Sequence, residues 1–165
     1  GKIPSAIVKR GVGYAPERFN LFPYMSVRDN LMVGSFTARE DIDRNLDMVH
    51  KLFPRLEERE HQETSTQSGG ERQMVSFGRA LMTNPRLLIL DEATEGLAPL
   101  IRAEIWAVVA RLKRDSGLSI IAIDKSLSEL QSVADRAVIL ERGRTAWTGT
   151  LGALDAVTRE RLLGV

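Results

Sequence analysis

Cysteine is absent from the 165 residues and histidine is limited to two. The first absence excludes disulfides and thiolate metal sites and fits a reducing compartment. The second leaves no H-x-x-H spacing, so imidazole metal sites are excluded too. His50, on the polar side of a helical pattern, and His61, in a charged stretch, read as surface residues. Net charge is also nearly absent, at +1, so no broad field draws nucleic acid or anionic lipid. No apolar run approaches the ~18 residues of a membrane span, and no basic-then-apolar opening reads as a signal peptide. What remains is ordinary for one globular domain with a proper core: 43% hydrophobic and 27% charged residues. The first residue is Gly1 rather than Met, and the expectation is a chain that begins inside a domain.

The hydrophobic pattern divides the chain. "IPSAIVKRG" reads as a short helix stopped by Gly11, and "VGYA" as a strand ended by Pro16. "SVRDNLMVG" opens on a Ser26–Asp29 capping pattern. Ile42, Leu46, Val49 and Phe53 form one apolar stripe that Pro54 ends. The EERE run at 57–60 is a solvated helix face or loop, and the chain is loop-like from about Glu63 to Ser68. A capped helix then runs to "TNP" at 83–85. The second half alternates: the strand "RLLIL", a helix with Ile101, Ile105, Val108 and Leu112 inward and Gly117 at its end, and the strand "LSIIAI". A helix capped by Ser126 with Glu129, two strands around Gly143, and a closing helix follow. Trp106 falls near the apolar stripe of its helix and reads as core; Trp147 falls on a strand. Strand–helix alternation specifies an α/β fold with a parallel sheet, its two apolar strands buried. A helical block is inserted near residues 25–84, between a first part (1–24) and a last (85–165).

Two short stretches carry chemistry. "SGGERQ", residues 68–73, stands directly before a helix. Ser68 and Glu71 have the spacing of a capping box, which leaves two consecutive glycines unexplained. Glycine belongs where a backbone must come close to something, and a bare helix N-terminus is a ready anion site. "LLILDE", residues 87–92, ends an aliphatic strand abruptly in two carboxylates. Ligands bind at that end of strands in open α/β sheets. Asp91 is placed to hold Mg²⁺ and Glu92 to deprotonate an attacking water. On the strand alone, a pair that merely solvates the start of a loop is the other reading.

The order "SGGERQ", "GRAL", "NP", "LLILDE", "GLAPL" resembles the ATP-binding subunits of ABC transporters. "SGGERQ" is similar to the family's signature motif, "LLILDE" to its Walker B strand, and "TEGLAPL" to its D-loop (Gly96, Leu97, Ala98). "YAPERFNLFPYMSVRDNL" resembles the Q-loop and the start of the helical subdomain, and "VADRAVILERGR" the strands after the switch region. "PERFNLFPYMSVRDNL", "GLAPL" and the terminal "LLGV" resemble the branched-chain amino-acid branch. The resemblance implies a P-loop NTPase (RecA-like) core, lacking its N-terminal part, with an inserted α-helical subdomain. It implies ATP and Mg²⁺ as cofactors, Asp91 as the metal ligand and Glu92 as the catalytic base. It further implies Ser68, Gly69, Gly70 and Glu71 as contacts to an ATP presented by a partner subunit, with Glu17 at the Q-loop.

The chain departs from the family pattern in several places. No G-x-x-x-x-G-K-[ST] is present, and "GKIPS" lacks the upstream glycine and the hydroxyl needed for a phosphate loop. The expectation is therefore a truncated chain, inactive alone, whose partial sheet exposes an edge and apolar surface. Glu17 replaces the Q-loop glutamine, Gln67 the signature leucine with some loss of apolar packing, and Ala93 a common proline. Lys125 occupies the switch position, usually His, where it either approaches a γ-phosphate as a point charge or is a solvated lysine beside Asp124.

The resemblance implies a subunit that powers import of branched-chain or related amino acids. It would pair with itself or a homologous ATPase, and dock on membrane permease subunits at the cytoplasmic face of the inner membrane. Nucleic acid is not an expected partner. The docking cleft would lie near Glu17–Tyr24, lined by Phe19, Phe22 and Tyr24, unless those rings serve subdomain packing. A soluble ABC-type ATPase without a transporter and a non-catalytic partner-binding remnant stand as alternatives.

Overall fold

The computed structural model describes residues 4–164. Gly1, Lys2, Ile3 and Val165, and with them the start of "GKIPS" and the end of "LLGV", lie outside the described residues. The chain forms two compact units that divide after Lys125. The first contains α1 (Pro4–Val8), β1 (Val12–Ala15), α2 (Val27–Gly34), α3 (Ile42–Leu52), α4 (Pro54–Glu58), α5 (Gly69–Leu81), β2 (Leu87–Asp91), α6 (Pro99–Ser116) and β3 (Ser119–Ile123). The second contains α7 (Leu127–Val133), the strands β4 (Ala137–Glu141) and β5 (Arg144–Gly149), and α8 (Ala156–Leu163).

In the first unit β1, β2 and β3 form a parallel sheet in that order, with Tyr14 opposite Ile89 and Ile89 opposite Ile121. Parallel pairing needs crossovers, and α2–α5 and α6 supply them. α5 is the hub of the helices: it packs on α2, α3 and α4 and lies against β1. Phe53 and Phe77 meet with ring centroids 5.5 Å apart. A Cβ on Gly34 would stand 2.2 Å from the Arg79 carbonyl, so α2 crosses α5 at a distance only glycine permits. Of the predicted stripe, Leu46, Val49 and Phe53 are buried and Ile42, at the start of α3, is half-buried. Pro54 does end α3, and it also starts α4 as its first helical residue, where no N–H is needed. Gly117 closes α6 in the left-handed region at φ +66°, and Trp106 is core.

Three expectations are corrected. The strands "RLLIL" and "LSIIAI" are not buried on both faces. Leu88 and Leu90 point into the core, but Tyr14, Ile121 and Ile123 are each about half exposed on the opposite face. Apolar composition alone therefore overstated burial of these strands. His50 is half-buried, with Nε2 enclosed and without a hydrogen-bond partner, rather than on a free surface; His61 is exposed, 3.1 Å from Glu60. Ser126 is the N-cap of α7, but its side chain makes no capping bond.

In the second unit β4 and β5 pair antiparallel around Arg142 and Gly143, both at positive φ, as a two-residue hairpin turn requires. Asp155 caps α8 by accepting from the Thr158 N–H at 2.9 Å. No helix of the described residues is long and apolar enough to cross a membrane.

Candidate functional site

The N-terminus of α5 is built as its local sequence dictates. The Ser68 hydroxyl accepts from the Glu71 N–H, and the Glu71 carboxylate accepts from the Ser68 N–H at 2.9 Å, a complete capping box. Arg59 adds an ion pair to Glu71 at 3.1 Å. Burial pushes the Glu71 carboxyl up, but the two Ser68 bonds and the charges of Arg59 and Arg55 outweigh it and lower it.

The two glycines differ. A Cβ on Gly70 would fall 2.7 Å from Ile101 Cγ2 on the first turn of α6. Gly70 is therefore a packing glycine. A Cβ on Gly69 would meet nothing within 4 Å, so this face of the helix end is open to a ligand. Gln67, just upstream, is buried with neither amide atom partnered.

The second group sits at the carboxyl end of β2. Asp91 is half-buried, and its Oδ2 accepts from the Tyr14 hydroxyl at 2.8 Å. That bond, then burial, then the charges of Asp91 and Glu17 raise the Tyr14 phenol, which places Glu17 in the same field. Glu92 has φ +47°, unusual for a residue with a Cβ. Its N–H donates to the Ile123 carbonyl at 2.8 Å, and the buried Thr94 hydroxyl donates to Asp124 at 2.9 Å. Lys125 Nζ stands 3.2 Å from both Glu95 oxygens and 3.5 Å from Glu92 Oε2. A hydrogen bond to Glu95 raises the Glu92 carboxyl, and the same contact lowers that of Glu95. The Glu95 bond, with both carboxylate charges, raises the Lys125 ammonium. Gly96, at φ +72°, and Leu97 complete the turn, and Ala98 is the N-cap of α6.

Asp91, Glu92 and Lys125 thus share one strand-end cluster with Tyr14, while Ser68–Glu71 form a separate one. Tyr14 and Glu95 are the members that sequence reasoning missed. The sequence carries faint signals for them, Tyr14 as a polar tip near the end of a strand and Glu95 as an acid three residues past Glu92, but neither names its partner.

Glu17 is exposed on a loop that α5 grips. Arg79 donates to the Phe19 and Asn20 carbonyls at 3.2 and 2.8 Å, and the Arg72 guanidinium lies 5.1 Å from the Phe19 ring centre. A groove of about 400 Å³ opens there, lined by Glu17, Phe19, Pro23, Ser65 and Arg72 among others. Phe19 lines it, whereas Phe22 and Tyr24 are exposed elsewhere on the loop.

The residues fit Mg²⁺ held with phosphate. Asp91 offers a hard carboxylate oxygen with its second oxygen engaged by Tyr14. Among the described residues no group of three acidic, histidine or cysteine side chains would hold a metal alone. One carboxylate plus substrate oxygens is the usual arrangement for Mg²⁺.

A family model described as "ABC transporter" matches residues 2–95, more than half of the chain. A high-affinity branched-chain amino acid transport ATP-binding protein of Pseudomonas aeruginosa is 40% identical over 151 residues, covering 91% of this chain and 64% of the relative. A probable branched-chain amino acid transport ATP-binding protein of Archaeoglobus fulgidus is 31% identical over 92% of this chain and 64% of its own length. A molybdenum import ATP-binding protein of Rhodobacter capsulatus is 36% identical over 90% of this chain and 40% of the relative. The chain therefore spans less than two thirds of these relatives. Among solved structures, an ATP-binding cassette of an ABC transporter in its ADP conformation superposes with a TM-score of 0.79 at 22% identity, over 99% of this chain and 72% of the other. That likeness, with the parallel sheet, shows the nucleoside-triphosphatase fold expected from the sequence. The chain belongs to the ABC transporter family.

Proposed function

We propose that this chain is the greater part of an ATP-binding and ATP-hydrolysing subunit that powers import of branched-chain or related amino acids. The observation that carries the reading is the Asp91–Glu92 pair at the carboxyl end of β2, in one chain with a capped helix whose Gly69 face is open. The two branched-chain amino acid relatives support the solute class.

Asp91 would hold Mg²⁺, with Tyr14 keeping its carboxylate oriented. Mg²⁺, when bound, neutralises phosphate charge. Glu92 would take the proton of an attacking water at its carboxylate. Ser68, Gly69, Gly70 and Glu71 would form the N-terminal anion site facing a nucleotide on a partner ATPase subunit, Gly69 by direct approach and Gly70 by letting α5 sit close on α6. Gly96, Leu97 and Ala98 would form the turn that meets the same partner, and Glu17 would sense the occupied site from the loop gripped by Arg79.

In this reading residues 25–84 are the helical subdomain, set between core segments 1–24 and 85–165. The groove beside Glu17 and Phe19 would receive a permease subunit, with the protein peripheral at the cytoplasmic face of the inner membrane. Uptake of labelled leucine into proteoliposomes containing the full-length subunit and its permease tests the proposal. ATP-dependent uptake competed by isoleucine and valine is expected. ATP-dependent transport of another solute, with none of leucine, would overturn the amino-acid assignment.

A further inference from the structure

We propose that Lys125 is a positioning residue for Glu92, held in place by Glu95, rather than a contact to phosphate. The inference rests on the reading of Glu92 as the base. The ammonium is committed to carboxylates: it bonds both oxygens of Glu95 at 3.2 Å and stands 3.5 Å from Glu92. Glu92 and Glu95 lie three residues apart in one tight turn, closed by the Glu95 N–H donating to the Glu92 carbonyl at 3.1 Å. Glu95 hydrogen-bonds the Glu92 carboxyl; once both groups are ionised they repel, and the one cation beside both offsets that repulsion. Withdrawing Lys125 toward a phosphate would leave that repulsion in place.

The clamp is one of three ties between the turn after β2 and the end of β3. The others are the Glu92 N–H to the Ile123 carbonyl and the Thr94 hydroxyl to Asp124. The main-chain tie anchors the Glu92 N–H and the Thr94 tie holds the turn, but neither touches the Glu92 carboxylate, so both open more readily when that side chain is released. That carboxylate sits on a left-handed residue, at φ +47°, a conformation that persists only where surroundings enforce it. Lys125, together with the Glu95 contact it secures, constrains the side chain itself.

The two roles of Lys125 differ in what Glu95 does. If Lys125 served a phosphate, Glu95→Gln would free it, and hydrolysis would hold or rise. In the clamp, Glu95→Gln loosens the jaw and hydrolysis falls. The experiment uses the full-length subunit, with Lys125→Gln, Glu95→Gln, their combination, and Lys125→Arg. Each Gln variant is expected to lower kcat about tenfold with KM for ATP unchanged, and the double variant to lose no more than either single, because the two act as one unit. Lys125→Arg is expected to recover most of the rate, since the guanidinium fork spans two carboxylates.

A second readout needs no nucleotide. Hydrogen exchange of the Glu92 amide, followed by NMR, should accelerate several-fold in both Gln variants. Unchanged exchange, or a raised KM for Lys125→Gln with full activity in Glu95→Gln, would overturn the clamp. Glu92→Gln keeps the two readings apart. Full hydrolysis in that variant would remove the base assignment, while amide exchange would still decide whether Lys125 holds the turn.

Discussion

The two polar clusters of the first unit are wired in opposite ways. At the start of α5, Ser68 and Glu71 satisfy each other across three residues, in a site where Glu71 is 7% exposed. At the end of β2, the partners come from afar: Tyr14 reaches Asp91 across 77 positions, and Lys125 reaches Glu95 across 30. There the Lys125 side chain is 74% exposed. The Ser68–Glu71 box needs only a helix; the second cluster exists only once three strands are in register. Their carboxylates follow suit, with Glu71 lowered by donors aimed at it and Glu92 raised by an acidic neighbour.

The largest expected effect tests the long-range cluster. Glu92→Gln in the full-length subunit removes the base while keeping the shape, and should cut steady-state hydrolysis by ~10²-fold or more with nucleotide binding intact. Near wild-type turnover would remove the functional half of the comparison.

Next comes the contrast between the glycines. Gly70→Val drives a methyl group into Ile101 Cγ2, which branching at Cβ holds in place, and should cost ~1–3 kcal/mol in urea unfolding. Gly69→Ala enters open space at the first helical position and should be neutral or stabilising by up to ~1 kcal/mol. Equal losses would mean that both glycines serve packing.

Glu71 sharpens the local side through pH. Its carboxyl titrates below the ordinary value in the folded chain. Its stabilisation is therefore full above the ordinary carboxyl range and is lost as pH falls through the lowered folded value. The stability difference between wild type and Glu71→Gln should be ~1 kcal/mol near neutrality and shrink on acidification. A difference that is flat across that range would place the effect in packing. The smallest change is Tyr14→Phe. It deletes one half-exposed hydrogen bond and should shift stability by less than ~1 kcal/mol, while weakening Mg²⁺ retention in the full subunit if Tyr14 orients Asp91.

This wiring also explains what could be read from the chain alone. The Ser68–Glu71 box, the Leu46–Val49–Phe53 stripe and the Gly117 stop are set within a few residues, and all were legible. The Asp91–Glu92 pair was legible because an aliphatic strand ends on it. Its surroundings were not: nothing local to Asp91 names Tyr14, and nothing local to Lys125 selects Glu95 over solvent. Burial failed for the same reason. "SIIAI" has the composition of an enclosed strand, but whether Ile121 and Ile123 are covered depends on elements far along the chain. His50 was misplaced because the helical pattern marks its polar side, not what packs beside it.

The parallel pairing of Val12 with Leu87 has a consequence for birth as well as architecture. On the ribosome β1 is made before β2, and β2 emerges only after α2–α5. At ~5–20 residues per second, that interval is of the order of 4–15 s. Helices form within about a microsecond, so α2–α5 can consolidate around Phe53 and Phe77 while β1 waits for β2. For those seconds the edge of "VGYA" that Leu87–Leu90 will pair with stands open on a nascent chain. Pausing of translation between residues 16 and 86 would lengthen its exposure to chaperones, and to other copies of itself.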